Sequence, residues 1–115
     1  MSLQVLFVQA GSTPQTAVPL SASSTLVASS IVIQALGGTS DGTGKNQGKI
    51  YIGNSSVVGG DQTTGVQLAV PMDGATAPSL KLESGDNLNL FPLNQIYIAG
   101  EYEDDGVVAL CHIVD

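Results

Sequence analysis

Hydrophobic residues recur at every second position along several short segments of this 115-residue chain. The alternation is clearest in residues 66–70 (VQLAV), 80–83 (LKLE) and 87–90 (NLNL). A period of two turns one side chain toward a core and the next toward water, as in a half-buried β-strand. Further candidate strands are residues 3–10, 25–36, 49–53, 95–101 and 107–114.

Turn-forming residues separate these segments. Three Asp-Gly pairs lie between candidate strands, and residues 84–87 (SGDN) favour a tight turn that would join residues 80–82 and 88–90 as a hairpin. No segment carries a sustained helical stripe, because even residues 25–36 are rich in Val, Ile, Ser and Thr, which favour extended backbone. The chain is therefore predicted to be one all-β domain, an antiparallel sandwich or barrel.

Two candidate strands are apolar on both faces. Residues 3–8 (LQVLFV) and 107–114 (VVALCHIV) have few polar positions. Such a strand is either central and covered on both sides, or it packs against another subunit. One face of so small a sandwich normally meets water, so a partner chain is the more economical explanation. Residues 1–12 would then form an N-terminal arm or an edge strand. The interface candidates are Leu3, Val5, Leu6, Phe7, Val8, Val108, Leu110 and His112.

The balance of charges argues against several classes of partner. The chain has three Lys, no Arg and ten acidic residues, for a formal net charge of −7. Nucleic-acid binding needs clustered Lys and Arg that displace counterions, and the same deficit argues against an anionic membrane or a phosphate-rich ligand. Charged residues make up only 11% of the chain. A surface of neutral polar residues loses little hydration on contact, which suits a protein assembled against neighbours.

Signals for export or for a membrane span are not evident in the sequence. The short apolar run near the N-terminus has no basic residue ahead of it, and no stretch of about 18 apolar residues occurs. The single cysteine allows no internal disulfide. We therefore expect a protein made and kept in a cytoplasm, or in a particle assembled there.

Two motifs resemble catalytic or nucleotide sites but lack the residues that the chemistry requires. Residues 42–50 (GTGKNQGKI) suggest a phosphate-binding loop, but Thr43 stands where that pattern needs Gly and Ile50 where it needs Ser or Thr. Cys111 and His112 suggest a nucleophile and its base, but neighbours on a strand point to opposite faces and cannot share a proton. We expect no catalytic residues and no cofactor, and the chain is predicted not to be an enzyme.

One acidic cluster is the only candidate for a metal site. It consists of Glu101, Glu103, Asp104 and Asp105. Hard cations such as Ca²⁺ take several carboxylate oxygens, so the cluster is a weak candidate for a Ca²⁺ site. The default interpretation is a solvated turn, whose charges repel wrong strand pairings.

The order of several short motifs resembles that of small structural proteins of tailed bacteriophages. The first motif is a strand ending Tyr-Ile-Gly, residues 49–57 (KIYIGNSSV), followed by residues 65–68 (GVQL). A Leu-x-x-Gly-acid-x-Leu-x-Leu segment comes next at residues 82–90, and residues 95–100 (QIYIAG) follow it. The resemblance covers roughly residues 25–114 and is strongest to the head decoration, or cement, proteins. Residues 37–48 and 71–78 depart from the pattern.

The resemblance implies a jelly-roll-like antiparallel β-sandwich without an active site. It further implies a homo-oligomer, a trimer in preference to a dimer, that binds the major capsid protein on the outside of the virion and holds neighbouring coat subunits together. The terminal strand or the Gly-rich loops 37–48 and 54–65, which are flexible in composition, would supply the contacts. The alternative is a fibre-tip or receptor-binding β-module of a virion, although such a surface usually presents exposed aromatic residues.

Overall fold

Two antiparallel sheets make up the fold in the computed structural model, which describes residues 2–9, 16–36, 46–69, 78–83, 90–102 and 105–114. The described residues contain nine β-strands and one 3-10 turn, at Leu93–Gln95. The strands are β1 (Ser2–Gln9), β2 (Val18–Pro19), β3 (Val27–Ala35), β4 (Ile50–Gly53), β5 (Gly65–Leu68), β6 (Ser79–Glu83), β7 (Phe91–Pro92), β8 (Tyr97–Gly100) and β9 (Gly106–Ile113).

The strand order is that of a jelly roll. The larger sheet has the order β1-β9-β3-β6, with the two-residue β7 also paired to β3, and the smaller sheet has the order β2-β8-β4-β5. The antiparallel pairs are nested: β4 pairs with β5, β3 with β6, β2 with β8 and β1 with β9. Nested pairs of this kind are those of one long two-stranded ribbon wound into two sheets. The prediction of an all-β, jelly-roll-like antiparallel sandwich is confirmed.

The core lies between the two sheets and is built from alternate residues of the central strands. On β9 the inward positions are Val107, Ala109, Cys111 and Ile113, all of them buried. The smaller sheet faces them with Ile50, Ile52, Leu68 and Ile98. On β3 the inward residues change from even to odd numbers between Ala28 and Ile31, where the pairing with β9 shifts register at a β-bulge. The extra residue reverses the alternation, so both ends of β3 present apolar side chains to the core.

The predicted hairpin joining residues 80–82 and 88–90 falls largely outside the described residues, which show that β6 pairs with β3. Both β6 and β7 run antiparallel to β3, so they are parallel to each other and do not pair. The turn predicted at residues 84–87 lies outside the described residues. The sequence also missed β2 and β7, which have two residues each and contain a proline. Such short strands exist only because a neighbour supplies backbone partners, which no local pattern reveals.

The loop between β4 and β5, whose composition predicts flexibility, makes several hydrogen bonds of its own. The Val58 amide donates to Thr64 Oγ1 at 2.9 Å, and that hydroxyl donates to the Asp61 carbonyl at 2.7 Å. Val57 is buried and packs with Tyr51 and Ala99 in a small second cluster. Tyr51 alternates with the core residues of β4, so this cluster covers the outer face of the smaller sheet.

Candidate interaction surface

The outer face of the larger sheet carries most of the predicted interface residues. Strand register places side chains in three rows that run across β1, β9, β3 and β6, because directly opposed residues of antiparallel strands point to the same face. From β1 to β6 the rows are Leu3, His112, Ser30, Glu83; Val5, Leu110, Val32, Lys81; and Phe7, Val108, Gln34, Ser79. We call this surface the outer face.

Large apolar side chains on the outer face are exposed. The relative exposure is 64% for Leu3, 68% for Val5, 57% for Phe7 and 43% for Leu110. All four lie on the two neighbouring strands β1 and β9, so they form one contiguous patch. A contiguous apolar patch on a protein surface marks an interaction site more often than scattered single residues do.

Polarity increases across the outer face from β1 toward β6. The β6 residues on this face, Ser79, Lys81 and Glu83, are polar, and the Lys81 ammonium lies 2.8 Å from the Glu83 carboxylate. β1 and β9 contain no acidic residue and no lysine over their described lengths. A chain of net charge −7 therefore presents an uncharged apolar surface beside a polar margin. Such a surface can be buried without desolvating a charge.

The structure divides the predicted interface residues between the two faces of the sheet. Leu3, Val5, Phe7 and Leu110 lie exposed on the outer face, and half-buried Val108 and His112 lie beside them. Leu6 and Val8 point the other way: Val8 is in the core and Leu6 packs against it. Val32 belongs to the outer face as well, but sequence reasoning missed it because residues 25–36 show no simple alternation.

The two sheets differ in how their outer faces are covered. On the smaller sheet, Tyr51 and Ala99 are buried beneath Val57 from the β4–β5 loop, with Ala17 and Tyr97 packed against them. The larger sheet leaves its apolar patch exposed to solvent. The difference makes the larger sheet's outer face the candidate interaction surface.

The acidic cluster is used partly for structural hydrogen bonds. Asp105 is only 2% exposed; its Oδ1 accepts the Gln47 amide at 2.9 Å and its Oδ2 accepts the Gly48 amide at 2.8 Å. Glu101 Oε1 accepts the Lys49 amide at 3.1 Å. Glu103 and Asp104 lie outside the described residues. The expectation of a solvated turn does not hold for Asp105, which is buried.

Asn46 completes this buried connection between two distant segments. Its Nδ2 donates to the Gly106 carbonyl at 2.9 Å, and its Oδ1 accepts the Gly106 amide at 2.8 Å. Together with the Asp105 carboxylate, this side chain ties residues 46–48 to the start of β9. Both Asp105 carboxylate oxygens and Glu101 Oε1 therefore already accept backbone hydrogen bonds.

The adjacent Cys111 and His112 point to opposite faces. Cys111 is buried in the core, and burial raises the pKa of its thiol above the ordinary value. His112 lies half-buried on the outer face, directly opposite Leu3. A buried, protonated thiol is a poor nucleophile, so this pair offers no catalytic arrangement.

No group of three or more His, Cys, Asp or Glu side chains that could hold a metal ion occurs within the described ranges. Among the same residues, no helix is long and apolar enough to cross a membrane. Comparison with protein-family models, with curated proteins and with solved structures gives no match.

Proposed function

We propose that this chain is a non-enzymatic structural protein of a tailed-bacteriophage virion, a decoration or cement protein that binds the outer capsid surface as a homo-oligomer. The observation that carries the proposal is the uncovered apolar patch on the outer face of the larger sheet. The jelly-roll order of strands supports it, since this architecture is common among viral capsid proteins. The sequence resemblance to decoration proteins supplies the identity of the partner, the major capsid protein.

Multivalent contact is the physical basis of the proposed function. One subunit buries one modest apolar patch, which by itself supports weak binding. An oligomer that touches several coat subunits at once gains effective concentration for each further contact. Weak individual contacts therefore hold neighbouring coat subunits together without any chemical step.

In this proposal, the outer face contacts the coat protein mainly through Leu110 and the side chains around it. Leu110 is on β9, near the middle of the patch and one strand away from the sheet edge. Replacing it with lysine would bury a charge without a partner in the interface, and such a change costs several kcal/mol. Leu110 is 43% exposed in the free protein, so the fold has room for a lysine side chain at this position.

The test is co-sedimentation of the purified chain with empty shells assembled from the major capsid protein encoded in the same genome. The proposal expects saturable binding that Leu110→Lys weakens by at least about tenfold. Val66→Lys is the matched control, because Val66 is 53% exposed on β5 of the other sheet. Equal binding by both variants would exclude the outer face, and binding to host cells instead of shells would favour a receptor-binding module.

A further inference from the structure

Strand edges differ sharply in how well they are protected against pairing with another chain. Within the described residues, five strands have a partner on one side only: β1, β2, β5, β6 and β7. Of these, β2 and β7 have two residues each and contain Pro19 and Pro92. β5 has four residues, and β6 carries Lys81 and Glu83 on its outer face. Short length, proline and charge are the devices by which proteins block edge-to-edge pairing.

β1 has none of these protections. Its eight residues contain no proline and no charged side chain. It pairs with β9 without a register shift from Ser2, opposite Ile113, to Gln9, opposite Gly106. Residues 2–8 of this regular strand present an edge about 24 Å long, with alternate backbone amides and carbonyls directed away from β9. An edge of this kind is a template for one more strand.

We propose that β1 pairs antiparallel with β1 of a second copy of this chain, which joins the two larger sheets into one continuous sheet across a two-fold axis. An antiparallel strand pair has two-fold symmetry itself, so the same edge serves both subunits and the assembly closes as a dimer. A ring of three would need a second, different edge as the partner of β1. The other edges are the protected ones, so the edge geometry favours the dimer over the trimer.

The charge distribution favours a second copy as the occupant. Each chain has a net charge of −7, and two such chains repel when their acidic residues approach. β1 and its neighbour β9 carry no acidic residue over their described lengths, and the Lys81–Glu83 pair lies on the far strand of the sheet. The β1 edge is therefore a place where two copies can meet without bringing acidic side chains together.

The pattern of side chains selects the register of the proposed pairing. The two-fold axis keeps the outer faces of both copies on the same side, so odd-numbered residues of one β1 must oppose odd-numbered residues of the other. With Val5 opposite Val5 of the second copy, Leu3 opposes Phe7, and every exposed apolar side chain of β1 has an apolar partner. A shift by one step in one direction sets Leu3 against Gln9, and a shift in the other direction leaves Phe7 without a partner in β1 of the second copy. The register centred on Val5 is therefore favoured.

The consequence is a doubled apolar surface. In the dimer the two outer faces are adjacent, so the patches around Leu110 of both subunits lie on one side of a single wide sheet. That this surface binds coat subunits rests on the proposed function, whereas the pairing of the two β1 strands does not. A single strand pair buries less than the ~800 Å² per partner of a standard interface, so the dimer dissociates on dilution.

Disulfide cross-linking of the purified chain tests the pairing without any capsid. In Val5→Cys the two introduced thiols would sit opposite each other with Cβ atoms about 5 Å apart, close enough for a disulfide after small adjustments. Leu110→Cys is the matched control on the same face, since three strand spacings, about 14 Å, would separate its two copies. The native Cys111 is buried and does not compete.

The expected result, at about 0.5 mM protein where a weak interface is populated, is oxidation of Val5→Cys to a covalent species of twice the mass in denaturing gels, while Leu110→Cys forms no covalent dimer. Sedimentation equilibrium of the unmodified chain should show reversible dimerisation. Cross-linking of Leu110→Cys alone would mean that outer faces stack, and monomers throughout would mean that β1 does not pair; either result overturns the proposal. If the chain is a monomer that still binds coat shells, only the proposed dimer is refuted. If the chain is a dimer that does not bind coat shells, only the proposed decoration function is refuted.

Discussion

Removing the Asp105 carboxylate should destabilise the fold far more than removing Glu101, a more exposed acid of the same connection between β8 and β9. Asp105 is almost fully buried and accepts hydrogen bonds from the amides of Gln47 and Gly48. These bonds hold residues 46–48 against the start of β9, with Asn46 bonded to Gly106 beside them. Asp105→Ala leaves both amides without their acceptor.

The size of the effect follows from the environments of the two amides. A hydrogen bond to a charged acceptor contributes about 1.5–3 kcal/mol, and an unsatisfied buried donor costs a similar amount. The hydrogen bond from the Gly48 amide is buried, so its full free energy should be lost in the variant. Gln47 is exposed, so water can replace the acceptor of its amide. Release of the carboxylate from a buried position offsets part of the loss. The net change in the free energy of unfolding should be about 3 kcal/mol.

Urea denaturation followed by circular dichroism measures this difference, with thermal melting as a second readout. A loss of about 3 kcal/mol corresponds to a melting temperature lower by roughly 10 °C for a domain of this size. Glu101→Ala is the matched control, because it removes the same charge and one partly exposed hydrogen bond to Lys49. The free energy of unfolding of Glu101→Ala should be lower than that of the wild type by at most about 1 kcal/mol.

Asp105→Asn separates the hydrogen bonds from the shape of the side chain. The amide keeps one acceptor oxygen but turns an NH₂ group toward the second backbone donor, so about half of the loss should remain despite conserved volume. If Asp105→Ala and Glu101→Ala had equal unfolding free energies, the buried carboxylate would not anchor residues 46–48. If Asp105→Asn were as stable as the wild type, packing rather than hydrogen bonding would explain the effect.

Three further predictions concern single positions. A Cβ added by Gly106→Ala would meet the Val8 carbonyl closer than real Cβ atoms approach backbone, so this variant should lose about 2 kcal/mol by urea denaturation; unchanged stability would contradict the packing of β1 on β9. Burial raises the pKa of the Cys111 thiol above its ordinary value of 9.0, so the contribution of this thiol to stability is complete below about pH 9 and is lost as pH rises through the raised value. The stability difference between wild type and Cys111→Ala should therefore narrow above about pH 9, and a constant difference would refute this. Hydrogen bonds from the Thr63 hydroxyl and amide lower the pKa of exposed Asp61 below 3.8; in an NMR titration Thr63→Val should raise that pKa, and no change would show that the hydroxyl bond is absent in solution.

Local patterns located most of the larger strands but not their partners. The predicted ranges 3–10, 25–36 and 107–114 match β1, β3 and β9 to within one residue at the start of β1 and β9, because the alternation and β-branched content of a strand are properties of the segment itself. The hairpin expected around residues 84–87 falls largely outside the described residues, and the strand that β6 pairs with is β3, about 50 residues earlier in the chain. Pairing over such a distance depends on the whole topology, which a turn signal does not contain.

The candidate surface could be predicted only in part for the same reason. The doubly apolar character of β1 and β9 pointed to an interface, but it could not tell which side of each strand faces the core. Leu3 and Leu6 look alike in the sequence, yet Leu3 is exposed and Leu6 packs on the core. Asp105 carried no signal of burial, because its partners at Gln47 and Gly48 come from a distant segment.

The sequence by itself determined the strand period, the scarcity of charge and the absence of any charged or proline residue in β1. These are local properties, set by side-chain chemistry and the two-residue repeat of extended backbone. Only the tertiary structure decided that β1 lies at a sheet edge, that β6 carries its ion pair at the opposite edge, and that the outer face of the larger sheet stays uncovered. Position in a sheet is set by backbone hydrogen bonds between segments far apart in the chain, so the same apolar strand is core in the centre and an interaction surface at the edge.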